Sequence, residues 1–552
     1  MLINKKKIHN FENIIFDVCI IGSGPAGISL AYKLSKYKIK VALIPGGGLK
    51  INRFDQNFYK GKSNLNVDLS KYRIRAFGGT SKVWGGRCIP LDVIDFQKRS
   101  YVNSSGWPIK LKDIEKYYLE AFNYLDIGKK FKKKLFDNFK SKINLIKDFK
   151  SDLVDSYQIE RFSLPTNFGD KYYDNIKYNK YIYLFEKSRF IKFTFKKSNI
   201  TSVICACDKK KFTIQSKEFV LAAGGIENTK ILLQSNKIIK KNKNLGKYFM
   251  THFSGVIADI HFNRNVDINQ KYEIDKEGVY TRKRLQLKKK ALKQFKILNF
   301  SSFLHHPPIE DPSHNDGILS LMFFLKFIRY VSHRIPPEYS ARLISEKGNR
   351  TIYIKHIKNI ITDFFRILRI FPFFALNRIF SKRKIPSLVF DNPKNIYSLH
   401  YHVEHEPYEK NQIKLINQKD FDGNFKVKVN LNATSKDIES IIKSHEIIDN
   451  ELRKNKLGKI RYRYKNLKKE IVSQVPFGGH QIGTTKMGNK YTNSVVDKNC
   501  KVHKIKNLYI SSSSIFPTAG QANPVHTIVA FSLRLADHLI AKNKINKLKN
   551  IL

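Results

Sequence analysis

The chain predicts an α/β fold: a doubly wound sheet interrupted by an inserted α+β cap domain of strands and a helix. Three observations carry this. An apolar strand, a glycine-rich turn, a helix and a second strand follow one another between Phe16 and Ile44. Short β-patterned segments between Phe190 and Ala223 end in a second glycine pair, Gly224-Gly225, that opens a helix. The glycine-rich style of the N-terminal part returns only after Pro476, while residues 256–470 are richer in Lys and aromatics and poorer in Gly. The predicted division is 11–130, 186–255 and 471–545 for the sheet domain, with 131–185 a cap segment and 256–470 the inserted domain. A sheet domain made from both chain ends places a site at its interface with the cap.

The first element is Phe16–Ile21 running into Gly22-Ser23-Gly24-Pro25-Ala26-Gly27. The strand must turn sharply at Gly22, bring backbone close to a pyrophosphate at Gly24, and pack the next helix on the sheet at Gly27, with that helix N-terminus facing the phosphate charge. Ile28–Leu34 reads as the helix and Lys40–Ile44 as the returning strand, which makes the glycines a dinucleotide cradle. The acidic residue that such folds place after the second strand is absent, since the chain reads Ile44-Pro45-Gly46-Gly47-Gly48.

Next, Arg73 to Arg87 holds four glycines, Gly78, Gly79, Gly85 and Gly86, around Thr80-Ser81 and Trp84, backbone suited to a flat polar ring. Ser105-Gly106-Trp107-Pro108 is a turn before an amphipathic helix near Leu111–Tyr124. The segments FIKFTF, SVICAC, FTIQS and FVLAAGG read as four short strands before a helix at Ile226–Gln234. In the middle region, Tyr397–Val403, Gln412–Ile416 and Lys426–Leu431 read as strands and Ser435–Arg453 as a helix. The closing helix is His526–Lys542.

Composition bounds the function. The 552 residues, 42% hydrophobic and 12% aromatic, suffice for two or more cored domains. With 102 Lys+Arg against 46 Asp+Glu the net charge is +56. Basic residues are spread with Ile, Asn, Phe and Tyr along the whole chain, and no basic tract stands out as a nucleic-acid module, so no nucleic-acid partner is expected. Attraction to an anionic substrate or membrane face stays open beside a purely compositional origin. Its sharpest focus is Ile354–Lys384, with eight basic residues against Asp363 amid many Phe and Ile. Two readings stand for this stretch: a surface lying on anionic lipid, and a cap helix broken at Pro372 and packed into its own domain. Five scattered cysteines, Cys19, Cys88, Cys205, Cys207 and Cys500, show no metal or haem pattern and suggest a reducing compartment. With no secretory h-region, and the apolar run Ile318–Val331 broken by Lys326 and Arg329, the expected location is cytoplasmic, with peripheral contact at the cytoplasmic membrane face left open.

Gly22–Gly27, Gly78–Ser81 with Trp84–Gly86, Ala222–Asn228, and the block from His480 to His538 together resemble the glucose-methanol-choline (GMC) oxidoreductase family. The likeness covers both chain ends well and the middle poorly, and is nearest to the pyranose-oxidase-like branch. It implies a Rossmann-like FAD-binding domain and a substrate domain on an antiparallel sheet. The residues it assigns to the cofactor are Gly22, Gly24, Pro25, Ala26, Gly27, Gly78, Gly79, Thr80, Ser81, Trp84, Gly85, Gly86, Ala223, Gly224, Ser512, Ser513, Asn523 and Pro524. His480 matches the family's catalytic histidine and Asn523 its partner position. Three departures stand out: Val83 replaces the histidine to which pyranose-oxidase-like proteins attach FAD, so FAD is expected to be non-covalent; Pro45 replaces the acidic ribose ligand; and Ser512 replaces a late Asp.

The chemistry of the pair agrees. Oxidising an alcohol removes a proton from oxygen and a hydride from carbon. His480, neutral near pH 7, can take the proton, while the Asn523 amide can donate to the developing alkoxide. The other histidines, including His252, His400, His402, His405, His503 and His526, read mainly as structural, with substrate lining open for His400 and His402, and no metal site is expected. The expected function is FAD-dependent oxidation of a CH–OH group of a sugar or sugar-derived substrate, in cell-surface polysaccharide metabolism, with oxygen or a quinone-like acceptor as the external oxidant. The alternatives are a non-sugar alcohol or sterol substrate, or a flavin-binding scaffold without turnover. Oligomeric state is not legible.

Overall fold

The computed structural model describes residues 1–549 except 5–7, 12, 66, 71, 130, 236, 329–349, 388, 390, 393 and 475–478. Arg329, one of the two charges that break the apolar run at Ile318–Val331, lies outside the described residues.

The strand Ile15–Ile21, whose residues from Val18 on are buried, sits at the centre of an eight-stranded sheet. Its neighbours are Val41–Ile44 on one side and Lys210–Leu221 on the other, both parallel, with Ile20 opposite Leu43 and Val220. Strands buried on both faces read as continuous Ile, Val and Leu runs, which is what these segments show. Beyond Val41–Ile44 lies Ile182–Phe185, again parallel, followed by the edge pair Leu2–Ile3. Ile182–Phe185 was expected within the cap segment 131–185, yet its hydrogen bonds are with the parallel sheet.

The stretch expected as four short strands forms three. Ser188–Lys196 and Asn199–Cys207 are antiparallel to each other, while FTIQS and FVLAA join into one strand, Lys210–Leu221. The polar Ser216-Lys217-Glu218 looks like a turn in sequence. Two of its side chains are in fact engaged within the sheet, Ser216 donating to the Phe16 carbonyl at 3.2 Å and Lys217 pairing with Asp17 at 2.9 Å, while Glu218 pairs with Lys542 of the closing helix at 2.7 Å. Here the strand changes partner, from antiparallel pairing with Asn199–Cys207 to parallel pairing with Ile15–Ile21. Its far end also pairs in parallel with Leu508–Ile510, so the two ends of the chain share one sheet.

The second sheet is antiparallel along its main path, in the order Gly458–Tyr462, His252–Phe262, Ile396–Glu404, Phe300–His305, Tyr280–Leu287, Val154–Phe162 and Arg87–Cys88. The helix Ser435–Lys454 covers it, with Ile438, Ile441, Ile448 and Leu452 packing against Phe253, Leu399 and Tyr401. Thr434 caps this helix by accepting from the Asp437 N–H at 3.1 Å, and Asp437 reaches back to the Thr434 N–H. A small third sheet joins Gln412–Lys419, Phe425–Asn430 and Lys62–Ser63.

Between the strands Phe300–His305 and Ile396–Glu404 stands a helical lobe of Gly317–Leu325, Arg350–Thr362 and Phe364–Ala375. The expected break at Pro372 falls instead at Asp363, whose carboxylate accepts from the Gly317 N–H at 2.7 Å. Pro372 lies inside the second long helix, which widens into a π-type turn at Leu376–Phe380. The closing helix is longer than expected, Pro524–Lys549.

Candidate active site

Each cradle glycine has its own physical reason. At Gly22 φ is +112°, and a Cβ would lie 2.4 Å from the Ala222 carbonyl oxygen. A Cβ at Gly27 would lie 1.9 Å from the Gly22 oxygen, which is how closely the helix Pro25–Ser35 packs on the turn. A Cβ at Gly24, the residue preceding that helix, meets nothing within 4 Å. Gly24 faces the cavity, with the helix N–H groups beside it.

That cavity encloses about 1740 Å³ and runs between the sheet domain and the cap, more than a single drug-sized ligand requires. Its walls include Gly22, Gly24, Pro25 and Ala26; Gly79, Thr80, Ser81, Trp84, Gly85 and Gly86; Ala223 and Gly224; and Ser512, Ser513, Asn523 and Pro524. Gly27 and Gly78 stand behind the wall. Gly78 is there because φ is +93° and a Cβ would meet the Gly169 nitrogen at 2.5 Å. The Ser81 hydroxyl is engaged within the protein, donating to the Gly78 carbonyl at 2.6 Å and accepting from the Phe168 N–H at 3.0 Å. The Trp84 indole N–H is anchored on the Thr166 carbonyl at 2.9 Å, and Val83 beside it also lines the cavity.

Beyond Pro45 and Gly46, the same cavity wall carries Glu227, Arg75, Tyr59 and Lys230. Glu227 is buried, which by itself raises a carboxyl pKa, but Lys230, Arg75 and Arg73 together hold it below its ordinary value. A buried carboxylate is therefore present near the position where Pro45 supplies none. An open glycine turn on a helix N-terminus, a long cavity and this carboxylate fit a dinucleotide such as FAD.

The catalytic candidates meet. His480 precedes a loop fixed on three sides. Ile482 exchanges backbone hydrogen bonds with Met250 at 2.9 and 3.1 Å. The Gln481 side chain accepts from the Ile226 N–H at 3.0 Å, at the start of the helix Gly225–Gln234, and the Ser513 hydroxyl donates to the Gln481 carbonyl at 2.8 Å. Asn523 immediately precedes the helix Pro524–Lys549. Its Nδ2 lies 3.3 Å from His480 Nε2, both on the cavity wall, and its Oδ1 is buried without a partner in the protein. The amide thus retains one N–H and its oxygen for a ligand, and the helix N-terminus adds positive potential.

The other face of the His480 ring carries a contact the sequence did not reveal: Nδ1 lies 2.7 Å from His252 Nδ1. Only one of the two can donate. With Asn523 donating to Nε2, the His480 proton sits on Nδ1 and is given to His252, leaving Nε2 as the basic atom. His252 stacks on His402 with ring centroids 4.5 Å apart, and His402 Nδ1 is 2.6 Å from the Gln521 carbonyl oxygen. Nitrogens of His252, His402 and His480 all lie within 4.8 Å of one another. The 2.7 Å spacing of the first pair is that of a hydrogen bond, since two imidazoles sharing a tetrahedral zinc stand about 3.3 Å apart. Burial, with Arg87 next, lowers the His480 pKa to about 4. Arg87 is itself held by Glu160 at 2.5 Å. His400 also lines the cavity, stacked on Phe303 at 4.6 Å. His405, His503 and His526 are engaged elsewhere, with the Asn432 carbonyl, Ser494 and the Tyr118 carbonyl.

Comparison with known proteins finds a family match over one part of the chain. Residues 407–532 match the model of the GMC oxidoreductases, a stretch that includes His480 and Asn523. The chain carries a GMC oxidoreductase C-terminal domain. Within curated proteins, pyranose 2-oxidase of Tricholoma matsutake is 36% identical over 62 residues, 11% of either chain. A 2-methyl-1,2-propanediol dehydrogenase of Mycolicibacterium austroafricanum is 36% identical over 64 residues, 12% of either chain. These matches thus span about a tenth of each relative's length. Among solved structures, an FAD-dependent oxidoreductase from Chaetomium thermophilum superposes with a TM-score of 0.51 at 13% identity, covering 96% of this chain and 100% of the other. A fungal aryl-alcohol oxidase gives 0.52 at 11%, covering 96% and 99%. The fold of these two oxidoreductases therefore extends over nearly the whole chain, while the family-model match is confined to residues 407–532, which include His480 and Asn523.

The residues missed from sequence are His252 and Glu227. Glu227 stood within a family-like segment, but nothing in its spacing showed that it faces the space beyond Pro45. His252 had no local signal at all.

Proposed function

We propose that the protein is an FAD-dependent oxidoreductase that oxidises a CH–OH group of a sugar or sugar-derived substrate. The single observation that carries the reading is the His480–Asn523 pair, 3.3 Å apart, on the wall of the cavity that also holds the dinucleotide cradle. The turn at Gly22–Ala26, the loop Gly79–Gly86 and Ser512–Ser513 would hold the cofactor, with Glu227 in place of the ribose ligand absent at Pro45. Bound there, FAD supplies a hydride acceptor.

The chain's own groups do the rest. His480 Nε2 exchanges its Asn523 contact for the substrate hydroxyl and takes that proton, and its Nδ1–H, held by His252, stabilises the resulting imidazolium. Asn523 donates to the substrate oxygen as negative charge develops, and the N-terminus of Pro524–Lys549 supports that charge. His400, Arg87, Tyr464, Glu470 and Gln474 line the same cavity, offering the several donors and acceptors that a polyhydroxylated substrate needs. The likeness to a pyranose 2-oxidase supports the same class. All five cysteines are buried, and none forms a disulfide.

Anaerobic bleaching of the bound flavin against sugars, simple alcohols and sterols tests the reading. Sugars are expected to bleach it; bleaching by sterols or simple alcohols alone would overturn the sugar assignment. Because Val83 offers no nucleophile, acid precipitation is expected to leave the flavin in the supernatant. Flavin retained in the washed pellet would show a covalent bond elsewhere.

A further inference from the structure

The helices Arg350–Thr362 and Phe364–Ala375 are apolar on two sides. Their inner side, with Ile360, Ile367 and Ile370, packs on Ile318, Leu319 and Met322 of the neighbouring helix. Their outer sides carry Ile354, Ile357 and Ile361 at helical spacing on the first helix and Phe365 and Leu368 on the second, which are 64%, 48%, 69%, 85% and 56% exposed. A helix on a water-facing surface carries polar residues there, and contiguous exposed apolar surface of this kind marks an interaction site.

The charges on this face have one sign. Lys355, Lys358 and Arg369 are exposed, while Asp363, the single acid in the two helices and the bend joining them, is engaged by Arg366 at 3.2 Å. The helices, 13 and 12 residues long, reach only about 20 Å each, short of the roughly 30 Å of a bilayer core. No helix among the described residues is long and apolar enough to cross a membrane. Apolar side chains on short helices, flanked by exposed cations with no acidic partner among the described residues, are complementary to an anionic bilayer surface.

We propose that this helix pair is a docking element for an anionic lipid bilayer, with Ile361, Phe365 and Leu368 entering the headgroup boundary and Lys355, Lys358 and Arg369 at phosphate level. Pro308, Glu310 and Pro386, at the two ends of the lobe, line the large cavity, so docking sets the cavity beside the lipid surface. Arg366, an obvious cation in sequence, is committed to Asp316 and Asp363 instead; the Arg378 side chain lies outside the described residues.

The test uses the full-length, flavin-loaded protein with phosphatidylcholine vesicles, with and without phosphatidylglycerol. At least tenfold more protein is expected to sediment with the anionic vesicles. This should fall as salt rises from about 0.1 to about 1 M, where the Debye length shrinks from about 10 to about 3 Å. I361E/F365E/L368E is expected to abolish sedimentation, and K355Q/K358Q/R369Q to reduce it severalfold, both with unchanged flavin content and circular dichroism. Binding undiminished in the glutamate variant, or absent from both vesicle types, overturns the proposal. So does a wild-type dimer that the glutamate variant dissociates and vesicles do not compete with, which would assign the face to a second copy.

Discussion

His480→Ala is expected to keep its flavin and reduce it at least about 100-fold more slowly than the wild type, the scale on which a general base acts. The ring forms no part of the glycine cradle, so flavin content should not change. The pH dependence supplies a second readout. Burial lowers the His480 pKa to about 4, and only the neutral ring accepts a proton. The wild-type reduction rate should therefore be flat from pH 8 down to about 5 and fall below that, rather than halving near the ordinary histidine value of about 6.5. Because His252 shares a hydrogen bond with His480, the midpoint belongs to the pair. Stopped-flow reduction across this range decides it. A midpoint near 6.5, or an alanine variant as fast as wild type, would remove the assigned role.

Gly24→Ala and Gly27→Ala are expected to fail in opposite ways. The methyl at position 24 enters open cavity space, so the apoprotein should fold and melt normally while flavin affinity drops at least about tenfold, or about 1.4 kcal/mol. The methyl at position 27 would stand 1.9 Å from a backbone oxygen that cannot retreat without moving the strand turn, so destabilisation should exceed about 2 kcal/mol, within the range known for overpacked interiors. Thermal melts of the apo forms with flavin titration separate the two. Equal melting temperatures for both variants would show that Gly27 does not fix helix packing.

These glycines were legible because each answers a constraint within a few residues of itself. His480 and Asn523 were legible through their surrounding motif. His252 was not, because it reaches His480 from the start of a strand 228 residues earlier, and its own neighbours, Thr251 and Phe253, describe only a buried strand. The single strand Lys210–Leu221 looked divided because Ser216-Lys217-Glu218 is polar, and its partners, Phe16 and Asp17, lie some 200 residues away. The lobe helices read as ambiguous for a related reason. With apolar residues on both faces, periodicity does not say which face the rest of the chain covers.

The parallel pairing of Leu508–Ile510 with Phe219–Leu221 also governs how the molecule comes into being. During synthesis, Ile15–Ile21 and the glycine turn emerge first and Lys210–Leu221 about 190 residues later, yet the edge at Phe219–Leu221 then waits for nearly 300 further residues. Until then an apolar strand edge is open to wrong partners, and closure depends on contacts of very large sequence separation, the slow kind. His480 and Asn523 emerge in this same late interval, one before and one after the strand that seals the sheet. A nascent chain can therefore present its glycine turn long before it has the means to act on a substrate.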